Sequence, residues 1–207
     1  MATTLQPPPT AKFPTSGSSR RVREHDSEVP TTGMWVGLAA ITMTFAAFTS
    51  AMVVRQGSAN DWRHFSFPPI VYFNTLVLLA SSFTLHISRR RFAAVSVGAV
   101  GDAKLALRTL YATLGLGCVF VAGQYAAWLQ LRSEGVYLAT APSSSFFYVF
   151  TVLHVLHVLG GLTGLLLVIM RLKRMTLRRS TLDAASQYWH FMDVLWIYLL
   201  FLLWLRI

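Results

Sequence analysis

The stretch FFYVFTVLHVLHVLGGLTGLLLVIM, residues 146–170, decides the fold class of this chain. It contains no Asp, Glu, Lys or Arg, and it exceeds the roughly 20 apolar residues that a helix needs to cross about 30 Å of hydrocarbon. It therefore predicts a transmembrane helix. Two histidines, His154 and His157, lie three residues apart within it. Polar side chains inside a bilayer are costly, so these two need a structural or functional reason.

Four further apolar segments of similar length occur at residues 33–54, 69–87, 105–131 and 188–205. The chain of 207 residues is 54% hydrophobic and only 13% charged, which is unusual for a soluble domain. Its one cysteine excludes an internal disulfide framework and a four-thiolate metal site. The sequence therefore predicts an all-α, polytopic membrane protein, in which residues 33–207 form one domain of five transmembrane helices.

Residues 1–32 differ from the rest in composition. They carry three consecutive prolines, scattered Ser and Thr, and basic residues mixed with acidic ones, so they cannot bury a core. We expect a disordered, basic, cytoplasmic tail. It has no short apolar segment with a cleavage site, which argues against a removable signal peptide.

The lysine and arginine residues outside the five segments are unevenly distributed, and such residues are retained on the cytoplasmic side of a membrane. Thirteen of them share one side: Lys12, Arg20, Arg21, Arg23, Arg89, Arg90, Arg91, Lys104, Arg171, Lys173, Arg174, Arg178 and Arg179. The other side has four: Arg55, Arg63, Arg132 and Arg206. This predicts an inside N terminus and an outside C terminus. The net charge of +10 then reflects topology and contact with anionic lipid, and nucleic-acid binding is not expected.

Two pairs of polar side chains share a helix face: His154 with His157, and His190 with Asp193. Three imidazoles and a carboxylate could in principle bind zinc, copper or non-haem iron. Counted inward from the cytoplasmic ends of the two segments, His157 lies deeper than Asp193 by about 12 Å at about 1.5 Å per residue, which predicts against one shared site. No two histidines on different helices match in depth, so bis-histidine haem ligation is not expected.

We instead expect His154 and His157 to be neutral and to form hydrogen bonds at helix interfaces near mid-membrane. His190 and Asp193 are expected near the cytoplasmic face. There they form either a titrating pair that takes up protons or a pair in which each satisfies the other.

Hydroxyl and amide residues in the first two segments are expected to bond backbone or neighbouring helices: Thr42, Thr44, Thr49, Ser50, Asn74, Thr75, Ser81 and Ser82. Glycines recur at helix-contact spacing: Gly33, Gly37, Gly115, Gly117, Gly123, Gly160 and Gly164. Packing within this bundle explains them more simply than a dedicated dimer face does.

Three motifs together resemble subunit III of the haem-copper respiratory oxidases. The FFY, the following threonine and the HxLHVxGG pattern of residues 146–161 are similar to the sixth helix of that family. DAASQYWHFMDVLW, residues 183–196, is similar to the start of its last helix, and NTLVLLASS, residues 74–82, agrees as well. The likeness covers residues 33–207 and implies the five-helix bacterial form.

The resemblance also implies a role in cytochrome c oxidase, in aerobic respiratory electron transport at the bacterial plasma membrane. It implies an accessory subunit with no catalytic residue, cofactor or metal of its own, which packs directly against subunit I in a complex that includes subunit II. Such a subunit binds phospholipid and supports proton uptake, while haem and copper reside in partner subunits. The candidate structural or proton-relay residues are Asn74, Gln124, His154, His157, Trp189, His190 and Asp193.

Two positions depart from the family pattern, because Ile41 and Ala127 stand where glutamates are common. The resemblance therefore implies no proton-feeding role through those carboxylates. Alternatives remain open: the same subunit in a quinol oxidase, an accessory to nitric oxide reduction, or a stand-alone metal or proton transporter that uses the histidine pairs.

Overall fold

The computed structural model describes residues 17–58, 62, 68–95, 102–135, 137, 141–174 and 176–206, with backbone alone for residues 17–31, 94–95 and 102–103. Five helices account for nearly all of these residues: α1 (Gly17–Ser58), α2 (Pro69–Val95), α3 (Asp102–Ser133), α4 (Pro142–Lys173) and α5 (Arg179–Arg206). No strand occurs in these ranges. The predicted all-α fold with five helices is confirmed.

Each helix contains a part long and apolar enough to cross a membrane: Thr32–Ser58, Pro69–Ala93, Lys104–Ser133, Pro142–Lys173 and Arg179–Arg206. These parts include all five predicted segments. Helix α4 begins with Pro142 at its first position, where the missing N–H of proline costs no hydrogen bond. Helix α5 begins well before residue 188, because its polar first turns extend a helix that the apolar part has already nucleated.

Helix α1 also begins earlier than its apolar segment, at Gly17. The structure thus gives helical backbone to residues 17–32, which the composition predicts to be a disordered tail, and residues 1–16 lie outside the described ranges. Adding residues to an existing helix costs little, and the Arg and Glu residues of this stretch are good helix formers. The part that is apolar enough to cross a membrane begins at Thr32.

The backbone of α5 runs beside those of three helices, α1, α2 and α4. Helices α2 and α3 form the closest pair, and α3 also packs on α4. Helix α1 is peripheral, because it contacts α4 and α5 and, among the described residues, neither α2 nor α3. One core cluster surrounds Phe120, Trp189 and Trp196, and a second surrounds Phe45 and Phe150.

Two glycines of α3 permit this close packing. A Cβ atom at Gly123 would collide with the amide of Asn74 on α2, and a Cβ at Gly117 would lie 2.6 Å from Leu162 and 2.8 Å from Trp189. The predicted role in packing within the bundle is correct for both. It is wrong for four others, because a Cβ would meet nothing within 4 Å at Gly33, Gly37, Gly115 and Gly164.

Candidate functional site

A line of hydrogen bonds joins α2 to α5, and we call its residues the α2–α5 seam: Thr75, Ser81, Ser82, Trp189, His190 and Trp196. Nε1 of Trp189 donates to Oγ of Ser81 at 3.0 Å, and Nε1 of Trp196 donates to Oγ1 of Thr75 at 3.0 Å. Both indoles are almost fully buried. The two tryptophans are seven residues apart, so they project from one face of α5. The prediction that Thr75, Ser81 and Ser82 bond neighbouring groups is confirmed.

The third contact of the seam belongs to His190. Its Nδ1 lies 2.6 Å from Oγ of Ser82 and 3.8 Å from Oδ2 of Asp193. The second distance is within ion-pair range but too long for a hydrogen bond. The His190 side chain is 39% exposed whereas that of Asp193 is 7% exposed, so one member of the pair is accessible and the other is buried. The two groups are therefore neighbours without a direct hydrogen bond between them.

His157 bonds within its own helix. Its Nδ1 lies 2.7 Å from the carbonyl oxygen of Leu153, and a carbonyl can only accept, so Nδ1 carries a proton that it donates. The carbonyl of His157 accepts from the Tyr188 hydroxyl at 2.9 Å, which ties α4 to α5. The ring itself packs 5.8 Å from that of Phe45 on α1. The expected interface hydrogen bond is thus made by the His157 backbone, while the imidazole bonds locally.

Five buried polar side chains have atoms without a hydrogen-bond partner among the described residues: Asn74, Gln124, His154, Ser186 and Asp193. We call the first three, which carry amide or imidazole groups, the buried polar triad. Each is fully buried, and none of their six side-chain nitrogen and oxygen atoms has a hydrogen-bond partner among the described residues. The His154 ring packs against Phe120 at 5.9 Å and against Trp196 at 5.1 Å between centroids. The expectation that His154 hydrogen-bonds across a helix interface is therefore not met by any described group.

The predicted depth difference between the two pairs is wrong. Gly161 of α4 packs against Trp189 of α5, and His154 packs against Trp196, so the antiparallel helices are level at these points. Asp193 lies between the two tryptophans and is thus level with the His154–Gly161 stretch, well away from the helix end. The error arose because α5 starts at Arg179, so Tyr188 does not mark the beginning of the helix.

The three histidines are separated because each side chain faces a different neighbouring helix. His154 packs on α3 through Phe120, His157 packs on α1 through Phe45, and His190 bonds α2 through Ser82. Within the described ranges, no group of three or more His, Cys, Asp or Glu side chains could hold a metal ion. The arrangement suits hydrogen bonding between helices, and it places the partly exposed His190 imidazole beside the buried Asp193 carboxylate.

The structure also has an ion pair that the sequence reasoning missed. Nε of Arg89 on α2 donates to Oδ1 of Asp183 on α5 at 2.6 Å, one to two turns from the end of each helix. The signal was available, because opposite charges flank segments that were predicted to end on the same side of the membrane. At the other end of α5, the carbonyl of Arg206 accepts from Nε1 of Trp62 at 2.7 Å.

Ile41 and Ala127, which stand where the family commonly has glutamates, are apolar residues in apolar surroundings. Ile41 is partly buried against the cluster around Phe45 and Phe150, and Ala127 is fully buried in the cluster around Phe120. Both positions are therefore filled by ordinary core packing.

The sequence model of the family described as cytochrome c oxidase subunit III matches residues 36–206. A "Cytochrome c oxidase subunit 3" of Thermostichus vulcanus is 31% identical over 186 residues, which is 84% of this chain and 85% of the relative. A "Probable cytochrome c oxidase subunit 3" of Nocardia farcinica is 31% identical over 197 residues, covering 88% and 92%. A "Probable quinol oxidase subunit 3" of Staphylococcus aureus is 27% identical over 184 residues, covering 86% and 89%. This chain belongs to the cytochrome c oxidase subunit III family.

Proposed function

We propose that the chain is the accessory subunit III of a proton-pumping haem-copper terminal oxidase, a cytochrome c oxidase of aerobic respiration. The observation that carries this proposal is the family match over residues 36–206, which includes the whole α2–α5 seam and the whole buried polar triad. As a member of this family the chain is a subunit of an oxidoreductase complex. Redox chemistry at haem and copper belongs to partner subunits I and II, and this chain contributes no redox centre.

Direct packing against subunit I is assigned to the surface where α5 lies between α1 and α2. The His190 side chain is 39% exposed there, although it lies well inside a membrane-crossing part. A polar side chain facing acyl chains is costly, and such residues almost always face protein or water. Large apolar side chains surround it, including Phe83, Val194 and Tyr198, which suits a helix–helix contact.

Phospholipid binding is assigned to a groove between α1, α4 and α5. The groove has a volume of about 410 Å³, and Gly160, Gly164, Leu167 and Met34 line its apolar part. Arg171 lies at the end where the helices carry most of their basic residues. An acyl chain fits the apolar part, and the guanidinium of Arg171 can pair with the lipid phosphate.

The orientation proposed for the chain is an inside N terminus in a bacterial plasma membrane, which follows from the distribution of basic residues. Support for proton uptake is assigned to His190 and Asp193, because the pair combines an accessible imidazole with a buried carboxylate.

Deletion of the subunit tests the main proposal. We expect subunits I and II to be recovered with near-normal initial oxygen consumption, followed by faster loss of activity during sustained turnover. The measurement is oxygen uptake of the purified complex over many turnovers, with the intact complex as reference. Immediate loss of most activity from a complex that retains its haems and copper would contradict an accessory role.

Asp193→Asn tests the proton-uptake assignment within the intact complex. We expect it to hasten inactivation during turnover in the same direction as deletion, since the amide cannot share a proton with His190. Asp183→Asn is the matched control, because Asp183 is an acidic residue of the same helix paired with Arg89 instead. Equal inactivation rates for both variants would refute the assignment.

A quinol oxidase is the second candidate, favoured by the likeness to the Staphylococcus aureus relative. Purification of the tagged chain in mild detergent decides between the two. Oxidation of reduced cytochrome c and a dinuclear copper centre in subunit II indicate a cytochrome c oxidase. Oxidation of a quinol without that centre indicates the alternative.

A further inference from the structure

The buried polar triad consists of three polar side chains from three helices, α2, α3 and α4. The amide of Asn74 on α2 lies against Gly123 of α3, and Gln124 is the next residue of α3. Gln124 follows Phe120 by one helical turn, so both belong to one buried stripe of α3. The Asn74 amide therefore contacts α3 at the residue next to Gln124.

His154 joins this group from α4. Its ring packs edge-on against Phe120 and also packs against Trp196. Trp196 in turn bonds Thr75, the neighbour of Asn74 on α2. Contacts with Phe120 and Trp196 thus connect His154 to the turns of α3 and α2 that carry Gln124 and Asn74.

The hydrogen-bonding groups of the triad have no partners among the described residues. Two amides and one neutral imidazole supply both donors and acceptors, yet none of the six atoms is within bonding geometry of a described polar group. Buried polar groups are nearly always paired with protein or with ordered water. All three side chains have no exposed surface, which excludes a lipid headgroup or a partner subunit as the group that pairs with them.

We propose that Asn74, Gln124 and His154 form an internal hydration site, in which bound water bridges α2, α3 and α4 at mid-membrane. Water is the ligand that fits, because it offers two donors and two acceptors and buried waters bind two to four polar partners. The glycine at position 123 leaves the space that the Asn74 amide occupies at the edge of this site.

The decisive experiment is cryo-electron microscopy of the intact wild-type complex at a resolution where ordered water is visible. We expect density for water within hydrogen-bond distance of at least two triad side chains. Direct hydrogen bonds among the three side chains, or a site without density, would overturn the proposal. This experiment needs no variant and does not depend on which electron donor the complex uses.

A coupling measurement gives a second, independent test. Gln124→Leu and His154→Phe each remove one partner of the shared water, so the second substitution should cost less when the first is present. We expect the fall in Tm of the double variant to be smaller than the sum of the two single falls. The control pairs Gln124→Leu with Thr113→Val, a residue whose hydroxyl bonds Thr84 and Thr109, and additive falls are expected there. Additive falls for the Gln124 and His154 pair would count against a shared water.

Discussion

Two polar regions of the same bundle solve the problem of buried polar groups differently. In the α2–α5 seam, the tryptophan N–H groups reach hydroxyls on the facing helix, and those hydroxyls also donate to their own backbone, as Ser81 does to Leu78. In the buried polar triad, Asn74 lies on the same helix as these hydroxyls but has no described partner. The difference is one of reach. A long indole spans the gap between two helices, whereas short side chains around a glycine contact do not.

The largest effect is expected from Gly123→Val, which fills the space beside the triad. The Cβ alone collides with the buried Asn74 amide, so the amide must turn or α2 and α3 must separate. The cost is expected near the upper end of the roughly 1–3 kcal/mol of overpacking. We expect little of the subunit to remain in the purified complex. Gly115→Val is the control, since a Cβ there meets nothing within 4 Å. Normal recovery of the Gly123 variant in the complex would show that the α2–α3 contact at Gly123 tolerates a larger side chain.

Trp196→Phe should have the next largest effect, because Trp196 belongs to the seam and also covers His154. Loss of the N–H bond to Thr75 and of part of the ring is expected to cost about 2 kcal/mol. The measurement is the denaturation midpoint of the complex in a thermal series. Trp204→Phe serves as the reference because Trp204 is exposed. If both variants behave alike, the seam contributes little to stability.

Ser81→Ala and Ser82→Ala compare two hydroxyls of the seam directly. Ser81→Ala strands the buried N–H of Trp189, which is expected to cost about 1–2 kcal/mol. Ser82→Ala affects His190, whose side chain is partly exposed and can bond other groups, so a cost under about 1 kcal/mol is expected. The same thermal series measures both. A larger fall in Tm for Ser82→Ala than for Ser81→Ala would show that burial of the partner does not determine the stability cost.

The smallest effect is expected outside both regions, at the Arg89–Asp183 ion pair. Its side chains are 44% and 32% exposed, and exposed pairs contribute about 0–1 kcal/mol. Arg89→Gln should lower the Tm slightly at low salt, and the difference should vanish near 1 M salt because exposed charges are then screened. A salt-independent loss would indicate that this pair is shielded by a partner subunit.

The fold could be predicted from the sequence because apolar length and basic loops report directly on membrane crossing. All five segments fall within the observed helices, which extend beyond them most at the polar starts of α1 and α5 and at the end of α2. The error at α5 mattered, because it placed Asp193 near a helix end when it is level with the histidines of α4. Helix register depends on which residues of two helices meet, here Gly161 with Trp189, and a single sequence does not report that contact.

The sequence predicts which residues of the site form hydrogen bonds better than it predicts the groups they bond to. The hydroxyls of α2 were expected to bond neighbouring groups, and the structure identifies the indoles of α5 as those groups. His154 was expected to bond across an interface, whereas it packs between aromatic rings without a described polar partner. Spacing along a helix shows which side chains share a face, but the neighbour on that face depends on the packing of the whole bundle.

The peripheral position of α1 has a consequence for biogenesis. Its contacts are with α4 and α5, which are synthesised after it, whereas α2 and α3 are adjacent in sequence and pack closely. During co-translational synthesis α1 is therefore made before either of the helices that it packs on. The α2–α3 pair can assemble while α1 still lacks these contacts.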